Sequence, residues 1–193
     1  MNSDSQPAPE ASVAPIVALT GFMAAGKSTI GRELACLLHW RAVDLDCEIE
    51  HRSGQRVHEI FAQHGEAHFR RLESDALRSV LANALTPTVL ALGGGTFVQA
   101  TNAELLRERG ARVIFIELDI QKLLHRCREA VDRSQNPRPL AAQEETELRR
   151  LYEQRLPFYR LAELTVSPGD KTAWQVAREI AAALGLSAPG KQA

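Results

Sequence analysis

The amino-acid sequence predicts an α/β fold with a five-stranded, mainly parallel sheet flanked by helices. Five short apolar segments alternate with longer segments in which apolar residues recur at helical spacing. Polar or glycine-rich signatures directly follow the first three apolar segments. Alternating strands and helices produce a parallel sheet whose ligands bind beyond the carboxyl ends of the strands. We expect one domain over residues 16–185, between a disordered tail at 1–15 and a flexible tail at 186–193.

The first apolar segment leads into a phosphate-binding loop. Residues 16–19 read IVAL, and Gly21 opens the pattern G-x-x-x-x-G-K-S, which ends at Ser28. From Ile30 onward, apolar residues recur at i, i+4, i+7 and i+8, so the pattern lies between a strand and a helix as the motif requires. Backbone N–H groups at a helix N-terminus surround phosphates, Lys27 supplies charge to them, and a serine hydroxyl ligates Mg²⁺. The sequence therefore predicts a site for a nucleoside triphosphate.

The remaining strands and helices follow the same alternation. Later strands are predicted at 41–45, 88–92, 112–118 and 164–166. Helices are predicted from apolar periodicity, with caps at their starts and glycines at their ends. They cover residues 49–54, 56–64, 66–85, 144–159 and 172–184. Two more run from a cap at Thr101 or Asn102 to residue 109, and from a cap at Asp119 to residue 128. In the helix over 66–85, Glu73 is among the polar residues around the apolar stripe. Residues 129–143 lose all periodicity and contain two prolines, which predicts a mobile lid.

Composition and charge exclude several classes of protein. The net charge of −1 gives no reason to expect nucleic acid or an anionic membrane as a partner. No segment approaches the ~20 apolar residues of a membrane span, and residues 1–15 lack the features of a signal peptide. The cysteines Cys36, Cys47 and Cys127 are odd in number and lack C-x-x-C spacing, so they fit neither a disulfide framework nor a zinc site. We expect a cytoplasmic protein in which Cys36 is a small core residue.

Two aspartates follow the second predicted strand. An aspartate at this edge of the sheet can hold Mg²⁺ or accept a proton from a substrate hydroxyl. Asp44 and Asp46 are therefore candidates for both roles. Because aspartate is also a preferred N-cap, either could instead only cap the next helix.

Glycines and arginines supply the other candidate residues. The third strand ends in three glycines, which either let the backbone approach a ligand or form a flexible turn. A loop arginine such as Arg138 is typical of a lid that closes over a transferring phosphate. Taken singly, an arginine is more often a solvated surface residue.

Six motifs, in their order along the chain, resemble those of shikimate kinase, in the nucleoside monophosphate kinase structural group. They are GFMAAGKSTIGR, DLD, FRRLE, LGGG, RPL and RLPFY. The resemblance covers residues 16–184. It implies transfer of the γ-phosphoryl group of ATP to the 3-hydroxyl of shikimate. It also implies small-molecule partners only, and we expect a monomer.

The resemblance also implies roles for individual residues. The nucleotide would be bound by Ala24, Ala25, Gly26, Lys27, Ser28, Thr29, Arg126, Arg138 and, by a loose alignment, Lys171. Mg²⁺ would be held by Ser28 and, through water, by Asp44. The acid would be bound by Asp46, Arg70, Gly93, Gly94, Gly95 and Arg155, with Lys27, Asp46 and Arg138 acting in catalysis.

The chain departs from the family pattern in two places, and other functions stay open. Ala24 stands where the family often has glycine, for which we expect at most a small effect, and residues 136–137 (Asn-Pro) alter the path of the lid. Within the enzymes, the alternative is a kinase for gluconate or a nucleoside monophosphate, which Asp46 with two arginines disfavours. A catalytically silent ligand sensor is the other alternative. The intact Lys27 disfavours it, as does a 15-residue tail too short for a DNA-binding module.

Overall fold

A computed structural model of the chain describes residues 14–133 and 145–187. Within those ranges the chain forms five strands and seven helices. The strands are β1 (Ile16–Thr20), β2 (Arg41–Asp44), β3 (Thr88–Ala91), β4 (Arg112–Ile116) and β5 (Leu164–Val166). The helices are α1 (Lys27–Leu38), α2 (Leu45–Ser53), α3 (Val57–Ala82), α4 (Ala100–Glu108), α5 (Ile120–Arg133), α6 (Glu145–Tyr159) and α7 (Ala173–Ala183).

All five strands belong to one parallel sheet, which confirms the predicted architecture. Their order is β2-β3-β1-β4-β5, with β1 at the centre and β2 and β5 at the edges. In the register of the sheet, Ala91 of β3 pairs with Leu19 of β1 on one side and with Asp44 of β2 on the other. The carboxyl ends of β1, β2 and β3 therefore lie side by side at one edge, where their polar signatures come together.

The central strand explains why the sheet is covered on both faces. Val17 and Leu19 of β1 pack into one core with α1 and α7. Ile16 and Ala18 pack into a second core with α2, α3 and α4. Because successive strand residues point to opposite faces, an unbroken apolar run is what a strand between two cores requires.

Helix α3 consists of two helical pieces, as the sequence predicts, and the break falls at Gly65. Its φ of 75° and ψ of 174° are not helical. Positive φ costs little for glycine, which has no Cβ atom. Phe61 and Phe69 pack their rings against each other across the break, with centroids 4.5 Å apart. The second piece, which starts at Glu66, carries Arg70 toward the carboxyl edge of the sheet.

Several predicted boundaries are wrong. Helix α2 begins at Leu45 rather than at 49, because the side chain of Asp44 caps its first turn. Neither Thr101 nor Asn102 caps α4, because the helix already begins at Ala100. Asn102 is buried instead, and its side-chain amide donates to the Thr96 carbonyl.

The lid and one cysteine also differ from the sequence predictions. Helix α5 does begin after Asp119, whose Oδ1 accepts from the N–H groups of Gln121 and Lys122. It continues to Arg133, so the first part of the predicted lid is helical, and residues 134–143 lie outside the described residues. Cys36 is exposed rather than in the core. No helix within the described residues is long and apolar enough to span a bilayer.

An arginine of the α4–β4 connection fastens the C-terminal end of α3. Arg109 Nε donates to the Leu81 carbonyl at 3.0 Å, and its Nη2 donates to the Ala84 carbonyl at 2.9 Å. The last carbonyls of a helix lack partners within the helix, so the bond to Leu81 satisfies a group of α3 that would otherwise be unpaired. The bond to Ala84 holds the chain just beyond the helix. Together the two bonds tie α3, which carries Arg70, to the connection between α4 and β4.

We predict that Arg109→Met lowers the free energy of unfolding by about 2 kcal/mol, because two hydrogen bonds from a charged donor are lost. Arg107→Met is the matched control, since Arg107 on α4 is 72% exposed and its ion pair among the described residues is with the exposed Glu104. Its effect should stay below about 0.5 kcal/mol. Urea unfolding of both variants measures the difference, and equal losses would contradict the capping role.

Candidate active site

The phosphate loop (residues 21–28) connects β1 to α1 and is shaped by its two glycines. Gly21 has a φ of 141°, and a Cβ atom there would lie 2.7 Å from the Ile116 carbonyl oxygen at the end of β4. Gly26 has a φ of 96° and precedes the first residue of α1 without a side-chain cap. Residues with a Cβ atom rarely adopt either backbone conformation, and at Gly21 the Ile116 carbonyl leaves no room for a side chain. The loop thus presents the N-terminus of α1 with its backbone N–H groups uncapped by a side chain.

Lys27 lies inside the phosphate loop. Its side chain is buried, and its ammonium donates to the carbonyls of Gly21 and Phe22 at 2.9 and 2.8 Å. The next two residues, Ser28 and Thr29, are exposed in the first turn of α1. These three of the predicted nucleotide-binding residues therefore lie where the helix dipole favours an anion.

Ala24 adopts a backbone conformation that alanine disfavours. Its φ is 60°, in the left-handed region. This conformation costs an L-residue on the order of 1–2 kcal/mol relative to glycine. Arg126 of α5 donates from Nη1 to the Ala24 carbonyl at 3.3 Å, which places its guanidinium over the phosphate loop.

Lys171 is engaged elsewhere among the described residues. Its ammonium pairs with Glu179 of α7 at 2.5 Å and contacts the Ser167 carbonyl at 3.4 Å. The neighbouring Asp170 pairs with Lys122 of α5 at 2.8 Å. These contacts tie the loop after β5 to α5, but none of them brings Lys171 to Arg126 or to the phosphate loop.

The two aspartates occupy different positions because the chain turns into α2 between them. Oδ1 of Asp44 accepts from the N–H groups of Asp46 and Cys47 at 3.0 and 3.3 Å. Asp44 therefore caps α2, which is the reading that the sequence leaves open beside metal binding and proton acceptance. Asp46 lies in the first turn of α2, and its Oδ1 would be 3.0 Å from a Cβ atom on Gly93. Asp46 therefore faces the triple-glycine segment (residues 93–95).

The triple-glycine segment contacts functional groups on several sides. A Cβ atom on Gly93 would lie 2.8 Å from Glu73 Oε1, and one on Gly95 would lie 2.6 Å from both Nη atoms of Arg70. A Cβ atom on Gly94 would lie 3.3 Å from the backbone nitrogen of Met23 in the phosphate loop and 3.8 Å from Arg155 Nη1. The segment is therefore a packed wall rather than a flexible turn. It brings together Asp46, Arg70 and Arg155, as the sequence predicts.

Arg70 is held between two glutamates of its own helix. Nη1 donates to Glu73 Oε2 at 2.9 Å, while Nε and Nη2 donate to Glu66 Oε1 at 3.2 and 2.9 Å. Desolvation lowers the pKa of Arg70, but the charges and hydrogen bonds of Glu73 and Glu66 outweigh it and raise the pKa above its usual value. The guanidinium also lies 5.3 Å from the centre of the Phe69 ring. Arg70 is thus a fixed cation at the edge of the cleft.

Glu73 is a site residue that the sequence analysis misplaces. Its side chain is fully buried, and it accepts from Thr96 Oγ1 and Gln99 Nε2, both at 2.6 Å, in addition to Arg70. It therefore joins α3 to the segment that follows the three glycines. A signal for it is present in the sequence, since Glu73 is four residues after Phe69 and so lies on the buried face of the helix.

Arg155 and Tyr159 approach the triple-glycine segment from α6. Arg155 is 7% exposed, and its Nη1 donates to the Gly94 carbonyl at 3.3 Å. The hydroxyl of Tyr159, which is fully buried, donates to the same carbonyl. The sequence analysis did not single out Tyr159, although it belongs to the RLPFY motif. The predicted lid arginine, Arg138, lies outside the described residues.

The arrangement is that of a two-part cleft. One part, the phosphate loop with Lys27, Ser28 and Arg126, suits a nucleotide. The other part, with Asp46, Arg70 and Arg155 around three glycines, suits a small anionic polyol. The contact between Gly94 and the phosphate loop places the two parts side by side. Such a cleft can transfer a phosphoryl group from a nucleotide to a hydroxyl.

Comparisons with known proteins agree with this geometry. The sequence model of a family described as shikimate kinase matches residues 23–185. The shikimate kinase of Caldanaerobacter subterraneus subsp. tengcongensis is 39% identical over 166 residues, which cover 85% of this chain and 92% of that protein. That of Nitrobacter winogradskyi is 41% identical over 154 residues, which cover 80% of this chain and 69% of that protein. Shikimate kinase from Acinetobacter baumannii, solved in complex with shikimate, superposes with a TM-score of 0.80 at 36% identity. The match covers 89% of this chain and 94% of that one.

The two carboxylates around Arg70 should differ in their effect on stability. We predict that Glu73→Gln lowers the free energy of unfolding by about 3 kcal/mol, because it leaves a half-buried guanidinium and several donors without their anion. Glu66→Gln removes the other partner, whose side chain is 64% exposed, and should cost less than about 1 kcal/mol. Urea unfolding with circular dichroism tests the pair. Equal losses would mean that burial of Glu73 contributes nothing.

Proposed function

Because this chain belongs to the shikimate kinase family, we propose that it transfers the γ-phosphoryl group of ATP to the 3-hydroxyl of shikimate. The products are ADP and shikimate 3-phosphate. The observation that carries this proposal is the convergence of Asp46, Arg70 and Arg155 on the triple-glycine segment, directly beside the phosphate loop. This convergence supports the proposal, because it supplies partners for the carboxylate and for a hydroxyl of a carboxylated polyol.

The two arginines bind the carboxylate of the acid in this proposal. A planar guanidinium forms paired hydrogen bonds to a carboxylate, which fixes both the position and the orientation of the ligand. Arg155 is buried, and in the described part of the chain it has no carboxylate partner. A buried charge without a counterion is costly, so Arg155 favours an anionic ligand. Arg70 is already paired with two glutamates, so it contributes more to the orientation of the acid than to the attraction of its charge.

Asp46 and Lys27 act on the reacting groups. Asp46 lies against Gly93, on the wall of the acceptor part of the cleft, where it orients the 3-hydroxyl and takes its proton. Lys27 exchanges its carbonyl partners for the β- and γ-oxygens of ATP and stabilises their developing charge. Arg138 closes over both substrates from the lid and excludes water, which would otherwise accept the phosphoryl group.

We propose that Mg²⁺ accompanies ATP, held by the Ser28 hydroxyl and, through water, by Asp44. The donor set fits this metal, since Mg²⁺ keeps several waters and needs only one or two protein groups beside the phosphates. Oδ1 of Asp44 caps α2, which leaves Oδ2 to face a metal-bound water. When bound, the metal neutralises phosphate charge.

The remaining roles extend the same scheme. Arg126 covers the phosphate loop and contacts the adenine side of the nucleotide, with Lys171 as a further nucleotide contact. We expect a cytoplasmic monomer whose partners are shikimate and ATP, without nucleic acid or membrane.

A coupled assay of ADP release tests the function. Shikimate, gluconate, other hydroxy acids and a nucleoside monophosphate are compared at equal concentration, each with and without the enzyme. We expect the highest kcat/KM with shikimate and very slow release of ADP without an acceptor. Faster turnover of gluconate would transfer the proposal to another small-molecule kinase. Binding of shikimate without release of ADP would indicate a ligand sensor.

We predict that substitutions at the two aspartates differ in their effects on kcat and on the Mg²⁺ requirement. Asp46→Asn should lower kcat by a factor of roughly 10²–10⁴, the usual contribution of a general base, and leave the Mg²⁺ requirement unchanged. Asp44→Asn should raise the Mg²⁺ concentration that gives half-maximal rate. Because asparagine is also a good N-cap, Asp44→Asn should preserve α2. The opposite pattern, with the Mg²⁺ shift in Asp46→Asn, would mean that the roles are reversed.

We predict that Arg155→Lys weakens binding of the acid by about 10-fold or more, which corresponds to about 1.4 kcal/mol. Lysine keeps the charge but cannot form the paired bonds of a guanidinium. Arg160→Lys is the matched control, since Arg160 follows the same helix and, in the described part of the chain, forms its ion pair with Glu117 at the surface. Calorimetric titration of both variants with shikimate measures the difference. Unchanged affinity in Arg155→Lys would remove Arg155 from the carboxylate site.

A further inference from the structure

A tyrosine that belongs to neither substrate site connects the two elements that hold the acid. Tyr159 follows Arg155 by four residues on α6, so both side chains lie on the same face of the helix. Both donate to one acceptor, the carbonyl oxygen of Gly94. The bond from Arg155 is long, at 3.3 Å. The Gly94 carbonyl therefore has one charged and one neutral donor.

The position of this hydroxyl is fixed by the core of the protein. The Tyr159 side chain is fully buried, and its ring stacks on Phe115 with centroids 5.2 Å apart and planes at 27°. Phe115 lies in β4, which pairs directly with the central strand β1. A stacked ring in a packed core has little freedom. The position of the Tyr159 hydroxyl beside the Gly94 carbonyl is therefore fixed by packing against the sheet.

The hydroxyl acts as a neutral donor throughout the physiological pH range. Burial raises the pKa of Tyr159 to about 12, although the charge and hydrogen bond of Arg155 oppose the shift. Arg155 and Tyr159 therefore form one small network around the half-buried Gly94 carbonyl.

We propose that Tyr159 is a positioning residue for the acid, because its hydroxyl satisfies the Gly94 carbonyl and so leaves the Arg155 guanidinium available for a carboxylate. This inference rests on the proposed function, since it assigns a role to a residue beside the same acceptor site. Without the hydroxyl, the carbonyl keeps Arg155 as its one side-chain donor in the described part of the chain. A carboxylate that takes the Nη1 donor would then leave this half-buried acceptor unpaired, which is costly.

This mechanism predicts a selective kinetic defect in Tyr159→Phe. The substitution keeps the ring and its stacking on Phe115 and removes only the hydroxyl. The KM and the dissociation constant for shikimate should rise about 10-fold, which corresponds to about 1.4 kcal/mol. The KM for ATP should change by less than about 2-fold, and kcat should fall less than the affinity for the acid.

Tyr152→Phe is the matched control. Tyr152 lies on the same helix, is 8% exposed, and places its ring edge against Phe22, with centroids 5.5 Å apart and planes at 89°. It also loses a phenol hydroxyl in a buried setting, but this hydroxyl has no bond to the Gly94 carbonyl. Its KM for shikimate should stay within about 2-fold of the wild type. If Tyr159 served stability alone, the two variants would lower the melting temperature without separating in their KM for the acid.

A double-mutant cycle asks whether Tyr159 acts through Arg155. In the Arg155→Lys background, the added Tyr159→Phe substitution should weaken acid binding much less than it does in the wild type, because residues that share a network do not act additively. Full additivity would overturn the proposal. The cycle uses calorimetric titration, so it reports on binding even in variants with little turnover.

Two outcomes separate this inference from the function beneath it. If the wild type neither binds nor phosphorylates shikimate, the proposed function is wrong and the role of Tyr159 falls with it. If the wild type turns over shikimate and folded Tyr159→Phe keeps a normal affinity for the acid, only the present inference is overturned. Thermal unfolding establishes that the variant is folded.

Discussion

The backbone of residues 93–95 passes through a space in which side chains do not fit, and the acceptor half of the cleft depends on this close approach. At Gly93 the neighbours are the carboxylates of Glu73 and Asp46, and at Gly95 the neighbour is the guanidinium of Arg70. At Gly94 the neighbour is the phosphate loop itself. A Cβ atom at either Gly93 or Gly95 would displace a charged group that is held in place by other bonds. The register of β3 between β1 and β2 delivers the segment to this point.

Charge is distributed unequally between the two arginines of the cleft. Arg70 is neutralised by one buried and one exposed glutamate, so its orientation is fixed before any ligand arrives. Arg155 donates to the neutral carbonyl of Gly94, and only 7% of its surface is exposed to solvent. A guanidinium gains more from a carboxylate than from a carbonyl, because a charge-assisted hydrogen bond is roughly twice as strong. In the proposed function, this unequal pairing makes Arg155 the main source of affinity for the acid, while Arg70 fixes its orientation.

The sequence predicts those parts of the site that depend on local chemistry. The phosphate loop and the triple glycine follow strand ends, and short apolar segments locate all five strands. Long-range packing decides the rest. Glu73 reads as a surface residue because its partners, Thr96 and Gln99, are more than 20 positions away along the chain. Asn102 reads as a helix cap, yet its amide is needed by the Thr96 carbonyl, and tertiary contact outweighs local preference.

The free cleft holds two cations on backbone carbonyls that phosphate and carboxylate can replace. The ammonium of Lys27 donates to Gly21 and Phe22, and the guanidinium of Arg155 donates to Gly94. Gly21 and Gly94 are themselves neighbours, since a Cβ atom on Gly94 would lie 3.8 Å from the Gly21 carbonyl oxygen. The carbonyls keep each charge hydrogen-bonded. In the proposed function, exchange of a carbonyl for an anion gains free energy at both sites. The two substrates would then bind at adjacent ends of two touching loops, which is the proximity that phosphoryl transfer requires.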